Sequence, residues 1–337
     1  MSIPQPIFEK METHHCVSGS MRRLYGYNQH RISEDMLFGL GEGTGYIYWH
    51  QKGQTPFIGG RANPSPSVEE LAAQRTGVQI TPHTTTSARK AEATLLKLLE
   101  NGTPVMLQVD MGFLPYMDFG GQEYHFGGHV IVACEYDDTT RSVLVADRDL
   151  NLHQVSLEAL ALARGSKHKP FPPKNKWWTF DFSEKREPTS EEISTAIRNQ
   201  ATLMLEPPIS NIGIKGIRKT AKLIPQWSKT LEENELRRTL FDAYIFISPV
   251  GGTGGGTFRY MFSRFLAEAA HHTGNSDFLA MSVSFEAIGD QWATLGEWFK
   301  EVADNEAPAK RLSEAVTPLN HIATLEEQAW KALLETS

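Results

Sequence analysis

Apolar residues recur at helical spacing near the start of the chain. Between Val17 and Tyr25 they occupy positions i, i+4, i+7 and i+8, which places them on one face of a helix. The pattern predicts that this helix begins near Cys16, with Thr13 as its N-cap residue. Ser33, which two acidic residues follow, predicts a second short helix, because a serine cap and early carboxylates both stabilise a helix N-terminus.

Cap residues and alternating apolar positions predict the next elements. Ser67 and Glu70 form a capping-box pattern that opens a helix, and Gly77 is placed to end it. A further helix is predicted from Ser87 to a stop at residues 101–102. Three strands are predicted to follow, at residues 104–109, 129–136 and 142–146. Because a short link joins the last two strands, we expect them to form an antiparallel hairpin.

The pattern changes beyond residue 165. Residues 165–188 are rich in Lys and Pro, and this break in composition is typical of a domain boundary or a crossing segment. Helices are predicted to begin near Thr189, to span residues 277–303 and to run from about Thr317 to the C-terminus. The fold class is therefore α+β, with an antiparallel sheet followed by a mostly helical region. We expect a catalytic domain at 1–165 and a helical domain at 166–337 that packs on the catalytic cleft.

Composition and charge restrict the function classes. The 337 residues are 40% hydrophobic, enough for a sizeable core in two lobes. The formal net charge of -7 argues against a general electrostatic grip on nucleic acid. No apolar run reaches the roughly 20 residues that span a bilayer, and the first fifteen residues lack the pattern of a signal peptide. We therefore expect a cytoplasmic protein that binds neither nucleic acid nor membrane.

The two cysteines, Cys16 and Cys134, exclude both a disulfide framework and a four-cysteine metal site. A cysteine at a helix N-terminus is close to unpaired N–H groups and to the positive end of the helix dipole, which lowers its pKa and favours the nucleophilic thiolate. Its own N–H is also placed to stabilise an oxyanion. For Cys16 the alternative, from position alone, is a small buried apolar residue. Cys134 lies in the middle of an apolar strand, where an inert core residue is expected.

His129 and Asp147 are candidate partners of this thiol. His129 begins an apolar strand and Asp147 follows the end of the next one, so the two lie at the same end of the predicted hairpin. A carboxylate there would hold the imidazole in one tautomer and stabilise its charged form. Each residue alone is more often structural. The ordered set of Cys, His and Asp is the chain order of papain-like cysteine enzymes.

Particular segments carry a closer resemblance. His15-Cys16, residues 33–41, residues 128–132 and residues 136–138 together resemble the N-terminal domain of the butirosin biosynthesis protein H family. This resemblance covers roughly residues 10 to 150. The C-terminal half, above all the glycine-rich segment 251–259, resembles the domain of unknown function that often accompanies that domain.

The resemblance implies a papain-like core and transfer of an acyl group from an acyl carrier protein thioester to a small-molecule amine. By position, Cys16 would take the acyl group, His129 would act as base and Asp147 would orient His129. No bound cofactor is implied; the phosphopantetheine thioester of the carrier protein would be a co-substrate. A thioester exchanges readily with a thiolate, and an amine can resolve the acyl-enzyme where water is kept out.

One departure from papain-like peptidases concerns the oxyanion hole. Those enzymes commonly place a Gln several residues before the nucleophile, and residues 9–15 contain none. A backbone N–H, or the side chain of His14 or His15, would then supply the second donor, or the hole would be weaker and suit an activated thioester. A metal site made of His14, His15 and Cys16 is disfavoured, because adjacent residues rarely converge on one ion. We therefore expect no metal.

The glycine cluster at 251–256 lies between the apolar run 244–247 and a predicted helix, an order that resembles the strand, loop and helix of a phosphate cradle. It lacks the lysine of a P-loop, which argues against an NTPase. The N–H groups of Gly252, Gly254 and Gly255, together with Arg259, are candidates to bind the phosphate of phosphopantetheine. A tight connection that lets the helix pack closely is the favoured alternative.

Two other functions stay open at this point. A cysteine peptidase or amidase would use the same three residues with water as acceptor, and a non-catalytic protein could have kept the fold for binding a partner. The sequence names neither the acyl group nor the acceptor, because specificity depends on cleft residues that one sequence does not order in space. The oligomeric state, including a homo-oligomer, is open as well.

Overall fold

The structure is a computed structural model that describes residues 8–51, 53–61, 65–121, 123–169 and 171–336. The part of the signal-peptide interpretation that falls on residues 1–7 lies outside this description. Among the described residues, no helix combines the length and apolar character needed to cross a bilayer.

The helices are α1 (Cys16–Tyr27), α2 (Glu34–Leu40), α3 (Val68–Arg75), α4 (Ala88–Glu100), α5 (Leu157–Gly165), α6 (Ser190–Leu205), α7 (Gly213–Leu223), α8 (Glu233–Ile247), α9 (Arg259–Thr273), α10 (Ser276–Asp304), α11 (Pro308–Arg311) and α12 (Val316–Thr336). The strands are β1 (Ile47–Trp49), β2 (Phe57–Gly59), β3 (Gln79–His83), β4 (Val105–Val109), β5 (His129–Asp137), β6 (Ser142–Ala146), β7 (Leu152–Ser156) and β8 (Trp177–Asp181). The predicted α+β class, with an antiparallel sheet and a helical C-terminal region, is confirmed.

The chain forms two compact units, and each consists of two stretches of sequence. The first unit contains the chain up to Leu37 together with Thr76–Glu187, and the second contains Phe38–Arg75 together with the chain from Pro188 onward. The first unit thus differs from the predicted domain 1–165. Segment 38–75 leaves it, and segment 166–187 joins it because β8 is a strand of its sheet.

The first unit is built on a six-stranded antiparallel sheet with the order β3-β8-β4-β5-β6-β7. Helices α4 and α5 contribute Leu95, Leu99 and Leu160 to a core that also contains Leu107 and Ile131 of the sheet. Burying such apolar side chains is the main favourable term in folding. The hairpin of β5 and β6 is present as predicted, with Val132 opposite Ala146.

The caps of two helices follow the sequence closely. The Ser87 hydroxyl accepts the N–H of Lys90 at the start of α4, and Thr189 forms a reciprocal capping box with Glu192 at the start of α6. At α1 the prediction was wrong, because His15 rather than Thr13 is the N-cap residue. Thr13 instead donates its N–H to the carbonyl of Arg148 at 2.7 Å, which ties this segment to the end of the hairpin.

The second unit is mostly helical, with a short antiparallel pair of strands, β1 and β2. Its long helix α10 packs against α8, α9 and α12. Aromatic rings fill the space between these helices; for example, the rings of Phe262 and Phe285 meet edge to face with centroids 4.7 Å apart. Residues 244–247, predicted as an apolar strand before the glycine cluster, are the last turn of α8, so the strand of the phosphate-cradle pattern is absent there.

Candidate active site

Cys16 is the first residue of α1, as the apolar pattern predicted. The preceding residue, His15, has extended backbone angles, and its imidazole accepts the N–H of Ser18, so a side chain caps the helix immediately before the thiol. Helix α1 packs against β5, the strand that begins with His129. The start of the helix and the start of the strand are therefore held together by packing of the elements that carry them.

The register of the sheet brings His129 and Asp147 to one edge. His129 stands opposite the last residue of β4, and Asp147 directly follows β6, the antiparallel neighbour of β5. The two side chains meet with His129 Nε2 at 2.7 Å from Asp147 Oδ2. Both side chains are only 4% exposed. The structure thus brings together the imidazole and the carboxylate that the sequence had proposed as a pair.

The thiol of Cys16 contacts the same imidazole. Burial raises the pKa of Cys16, but a hydrogen bond from His129, the charges of His129 and Arg148, and the N–H of Val130 outweigh it and leave the pKa below its ordinary value. Because Asp147 occupies Nε2 of His129, Nδ1 is the ring nitrogen that remains for the sulfur. The imidazole of His129 is therefore coupled to both the Cys16 thiol and the Asp147 carboxylate.

The charge state of His129 follows from its two neighbours. Burial alone would lower the pKa of this imidazole, but the negative charge of Asp147, its hydrogen bond and the contact with Cys16 raise the pKa to about 9. The lowered thiol pKa and the raised imidazole pKa favour the same state, a thiolate beside an imidazolium. This is the form in which a cysteine is a nucleophile at neutral pH.

Asp147 is held by two further donors. Burial raises the pKa of Asp147, yet the charge and hydrogen bond of His129, the hydroxyl of Tyr116 and the N–H of Arg148 lower the pKa to about 2. The Tyr116 hydroxyl donates to Oδ2 at 2.9 Å, and the Arg148 N–H donates to Oδ1 at 2.7 Å. The Tyr116 ring in turn stacks on His153 with centroids 3.9 Å apart. No sequence pattern identified Tyr116, which lies 31 residues from Asp147.

Arg23 is a second residue that the sequence analysis missed. This buried guanidinium of α1 donates to the carbonyl oxygens of Asp147 at 2.5 Å and Asp149 at 2.9 Å, and so joins the helix of the thiol to the loop of the carboxylate. Arg23 follows Cys16 by seven residues and thus lies on the same helix face. A charged residue two helical turns after the candidate nucleophile was a signal that could have identified it.

Two family models match consecutive parts of the chain. Residues 15–148 match the family described as butirosin biosynthesis protein H, N-terminal. Residues 158–333, more than half of the chain, match a domain of unknown function, DUF4872. The chain belongs to the butirosin biosynthesis protein H-like family. No curated protein matches it.

Membership in the butirosin biosynthesis protein H-like family relates the chain to secondary metabolism. All three residues of the candidate triad fall inside the range of the N-terminal family model. An antiparallel sheet that carries His and Asp, with a helix that begins at Cys, agrees with the papain-like core that the resemblance implied. Among the described residues, no group of three His, Cys, Asp or Glu side chains is arranged to hold a metal ion.

The structure places the oxyanion candidates differently from one another. The N–H groups of His14 and His15 both donate to the carboxylate of Glu34, at 2.9 and 2.8 Å. The His15 ring is buried and uses Nδ1 as the helix cap, whereas His14 is exposed. Within the described part of the chain, the Cys16 N–H donates to no protein acceptor. A backbone donor at Cys16 therefore has an open position beside the thiol, and the role of either histidine side chain stays a prediction.

The glycine cluster of the DUF4872 region is a tight helix–helix connection. Gly252, Gly254 and Gly255 all have positive φ angles, and a Cβ on Gly256 would lie 2.8 Å from the backbone of Gly289 in α10. This close approach supports the packing interpretation, which the sequence analysis favoured.

Arg259 is a structural residue, and its proposed role as a phosphate ligand requires correction. Its side chain is 0% exposed and forms a bidentate ion pair with Glu326, whose Oε2 lies at 2.8 Å. The same guanidinium donates to the carbonyl oxygens of Gly45 and Thr257. These four hydrogen bonds, in a side chain without exposed surface, leave it no position for an anionic ligand.

Cys134 provides an internal contrast to Cys16. Its thiol lies in β5 and donates to the carbonyl oxygen of Val132 at 3.4 Å. Burial raises its pKa to about 12, and the nearby charge of Arg23 offsets this only in part. The pKa of Cys16 is thus lowered and that of Cys134 is raised, because of the two thiols only Cys16 has an imidazole beside it.

Proposed function

We propose that the chain is a cysteine-dependent N-acyltransferase of secondary metabolism. Its acyl donor would be a thioester carried on the phosphopantetheine of an acyl carrier protein, and its acceptor a small-molecule amine. The observation that carries the proposal is the series from the Cys16 thiol through the His129 imidazole to the Asp147 carboxylate, with 2.7 Å between the last two groups. Family membership supports a biosynthetic rather than a degradative reaction.

Acylation is the first half of the proposed reaction. The Cys16 thiolate attacks the thioester carbonyl carbon, and the Cys16 N–H stabilises the oxyanion that forms. As the bond between the acyl carbon and the donor sulfur breaks, the His129 imidazolium gives its Nδ1 proton to the departing thiolate. The products are an acyl-enzyme with a neutral His129 and a free donor thiol. Asp147 keeps the tautomer of His129 in which Nε2–H points to the carboxylate.

Transfer is the second half. The acceptor amine attacks the acyl-enzyme carbonyl, and His129 takes the proton that the amine loses as its nitrogen forms the amide. The Cys16 thiolate leaves and again faces an imidazolium. The net reaction converts a thioester and an amine into an amide and a thiol. Water in place of the amine would give hydrolysis through the same steps, so the acceptor alone separates a transferase from an amidase.

The test is to follow the mass of the intact protein after it is mixed with acyl thioesters of a carrier protein or of N-acetylcysteamine. We expect one acyl adduct on the wild type and on Cys134→Ala, and none on Cys16→Ala. The adduct should then decay faster with an added amine, in proportion to its concentration, and yield an amide. An adduct that decays at the same rate with every amine tested would indicate a hydrolase. A wild type without any adduct, and a Cys16 alkylated no faster than Cys134, would point to a non-catalytic protein.

A further inference from the structure

Glu34 lies at the start of α1 although it belongs to α2. It is the first residue of that helix, within the Ser33-Glu34-Asp35 segment that carried part of the family resemblance. Its Oε1 accepts the N–H of His15 at 2.8 Å, and its Oε2 accepts the N–H of His14 at 2.9 Å. The Ser18 hydroxyl donates to the same carboxylate at 3.3 Å. One side chain thus binds the chain on both sides of Cys16.

These contacts are of a kind that fixes backbone position. Hydrogen bonds from N–H groups to an ionised carboxylate are stronger than those between neutral groups, and two adjacent N–H groups on one carboxylate restrict both peptide planes. Ser18 links Glu34 to the helix cap, because its hydroxyl donates to the carboxylate while its N–H donates to Nδ1 of His15. The turn that leads into Cys16 is therefore held from α2 as well as from its own cap.

The same contacts determine which N–H groups stay open. The Glu34 carboxylate accepts the N–H groups of His14 and His15, and the His15 ring accepts the N–H of Ser18. In the part of the chain that the structure describes, the N–H groups of Cys16 and Val17 have no protein acceptor. The unpaired donors of this helix end are thus confined to the thiol residue and the one after it, where an oxyanion of the reacting acyl group would form.

We infer that Glu34 is a positioning residue for the acyl-transfer reaction. Glu34 holds the first turn of α1 so that the thiol of Cys16 faces His129 and the Cys16 N–H faces the acyl oxygen. This inference rests on the proposed function for its second half only. The orientation of the thiol toward His129 can be tested whether or not any thioester is a substrate.

The test measures the rate at which iodoacetamide alkylates Cys16 as a function of pH, in a Cys134→Ala background that leaves one thiol. Glu34→Gln keeps the size of the side chain but removes its charge and weakens its acceptance of two N–H groups. If Glu34 positions the thiol beside His129, the alkylation midpoint should rise by about one pH unit toward that of an ordinary thiol. If Glu34 acted only through its charge, loss of a negative charge would favour the thiolate and the midpoint would fall.

Asp35→Asn is the matched control, because it removes a neighbouring negative charge and none of the hydrogen bonds to Glu34. A midpoint in Glu34→Gln that stays the same, falls, or follows that of Asp35→Asn would overturn the inference. Glu34→Asp should restore part of the wild-type profile. If Glu34→Gln does not fold, Ser18→Ala decides: an unchanged midpoint there overturns the inference, and a raised midpoint with unchanged thermal stability supports it.

Acyl transfer supplies the second readout. With a short thioester, Glu34→Gln should lower kcat by about 10- to 100-fold and leave KM unchanged, because misplaced reacting groups affect the transition state more than binding. A wild type that forms no acyl adduct would refute the proposed function, and the alkylation profile would still decide the role of Glu34. A wild type that forms the adduct while Glu34→Gln matches its kcat and its profile would refute the inference alone.

Discussion

Each compact unit contains a buried ion pair, and the two pairs differ in the groups that surround them. His129 and Asp147 meet at 2.7 Å with side chains 4% exposed, and Arg259 and Glu326 meet at 2.8 Å with side chains 0% exposed. Charge and burial are thus nearly the same. What differs is whether each group has used all of its hydrogen-bonding positions.

The Arg259–Glu326 pair is saturated in the sense that each guanidinium nitrogen and each carboxylate oxygen is hydrogen-bonded to the protein. Both carboxylate oxygens of Glu326 accept from Arg259, and each also accepts an indole N–H, one from Trp292 at 2.6 Å and one from Trp330 at 3.1 Å. The guanidinium cannot lose its proton at any physiological pH. The imidazole of His129 instead keeps one nitrogen for a nucleophile and can gain or lose a proton. A buried pair therefore marks a reactive site when one position stays open to a group that reacts.

The largest expected effect concerns the saturated pair. Arg259→Met leaves the Glu326 carboxylate buried without its cation, which should destabilise the protein by about 3–5 kcal/mol in denaturant unfolding. Combining it with Glu326→Gln removes the second charge and keeps an acceptor for an indole, so the double variant should regain part of the loss. A double variant no more stable than Arg259→Met would show that packing, and not the unpaired charge, dominates.

The pH dependence of stability tests the reactive pair. His129 has a folded pKa of about 9 against an ordinary 6.5, so its contribution is complete below about pH 6.5 and is lost as pH rises through 9. The raised pKa corresponds to a contribution on the order of a few kcal/mol. Asp147 has a folded pKa of about 2 against an ordinary 3.8, so its contribution is present above 3.8 and is lost as pH falls through 2.

The measurement compares the free energy of unfolding of the wild type and of Asp147→Asn between pH 6 and pH 9.5. Without the carboxylate, the imidazole loses the charge that does most to raise its pKa, and the excess stability of the wild type should shrink as pH rises through this interval. Two curves that run parallel across it would contradict the raised pKa of His129. Phe262→Leu, which changes no titratable group, should run parallel to the wild type and serves as the control.

The smallest effect is expected for Tyr116→Phe. This change removes the hydroxyl that donates to Asp147 at 2.9 Å and keeps the ring that stacks on His153. Asp147 would keep its hydrogen bonds to His129 and to the Arg148 N–H. The loss of one charge-assisted hydrogen bond should therefore lower the free energy of unfolding by at most about 3 kcal/mol. We expect acyl transfer to slow by less than Asp147→Asn slows it, as measured by kcat on one thioester. An equal loss in both variants would make Tyr116 as important as the carboxylate itself.

Local signals in the sequence predicted much of the fold and the three residues of the triad. Cap residues such as Ser87 and Thr189 fixed helix starts, because the first N–H groups of a helix need acceptors within a few residues. The hairpin followed from alternating apolar positions around a short link. Errors arose where a local pattern was ambiguous: residues 244–247 are apolar enough for a strand, yet they close a helix that begins at Glu233.

The sequence alone determined the chain order of Cys16, His129 and Asp147. It also determined the position of the thiol at a helix start, because a helix start depends on neighbours a few residues away. Tertiary structure alone decided what surrounds the triad. The contacts of Tyr116 with Asp147, of Arg23 with the same loop and of Glu34 with the turn before Cys16 join residues 19 to 126 positions apart. Such contacts exist only after the sheet and helices pack, because no local pattern specifies which distant side chains will meet.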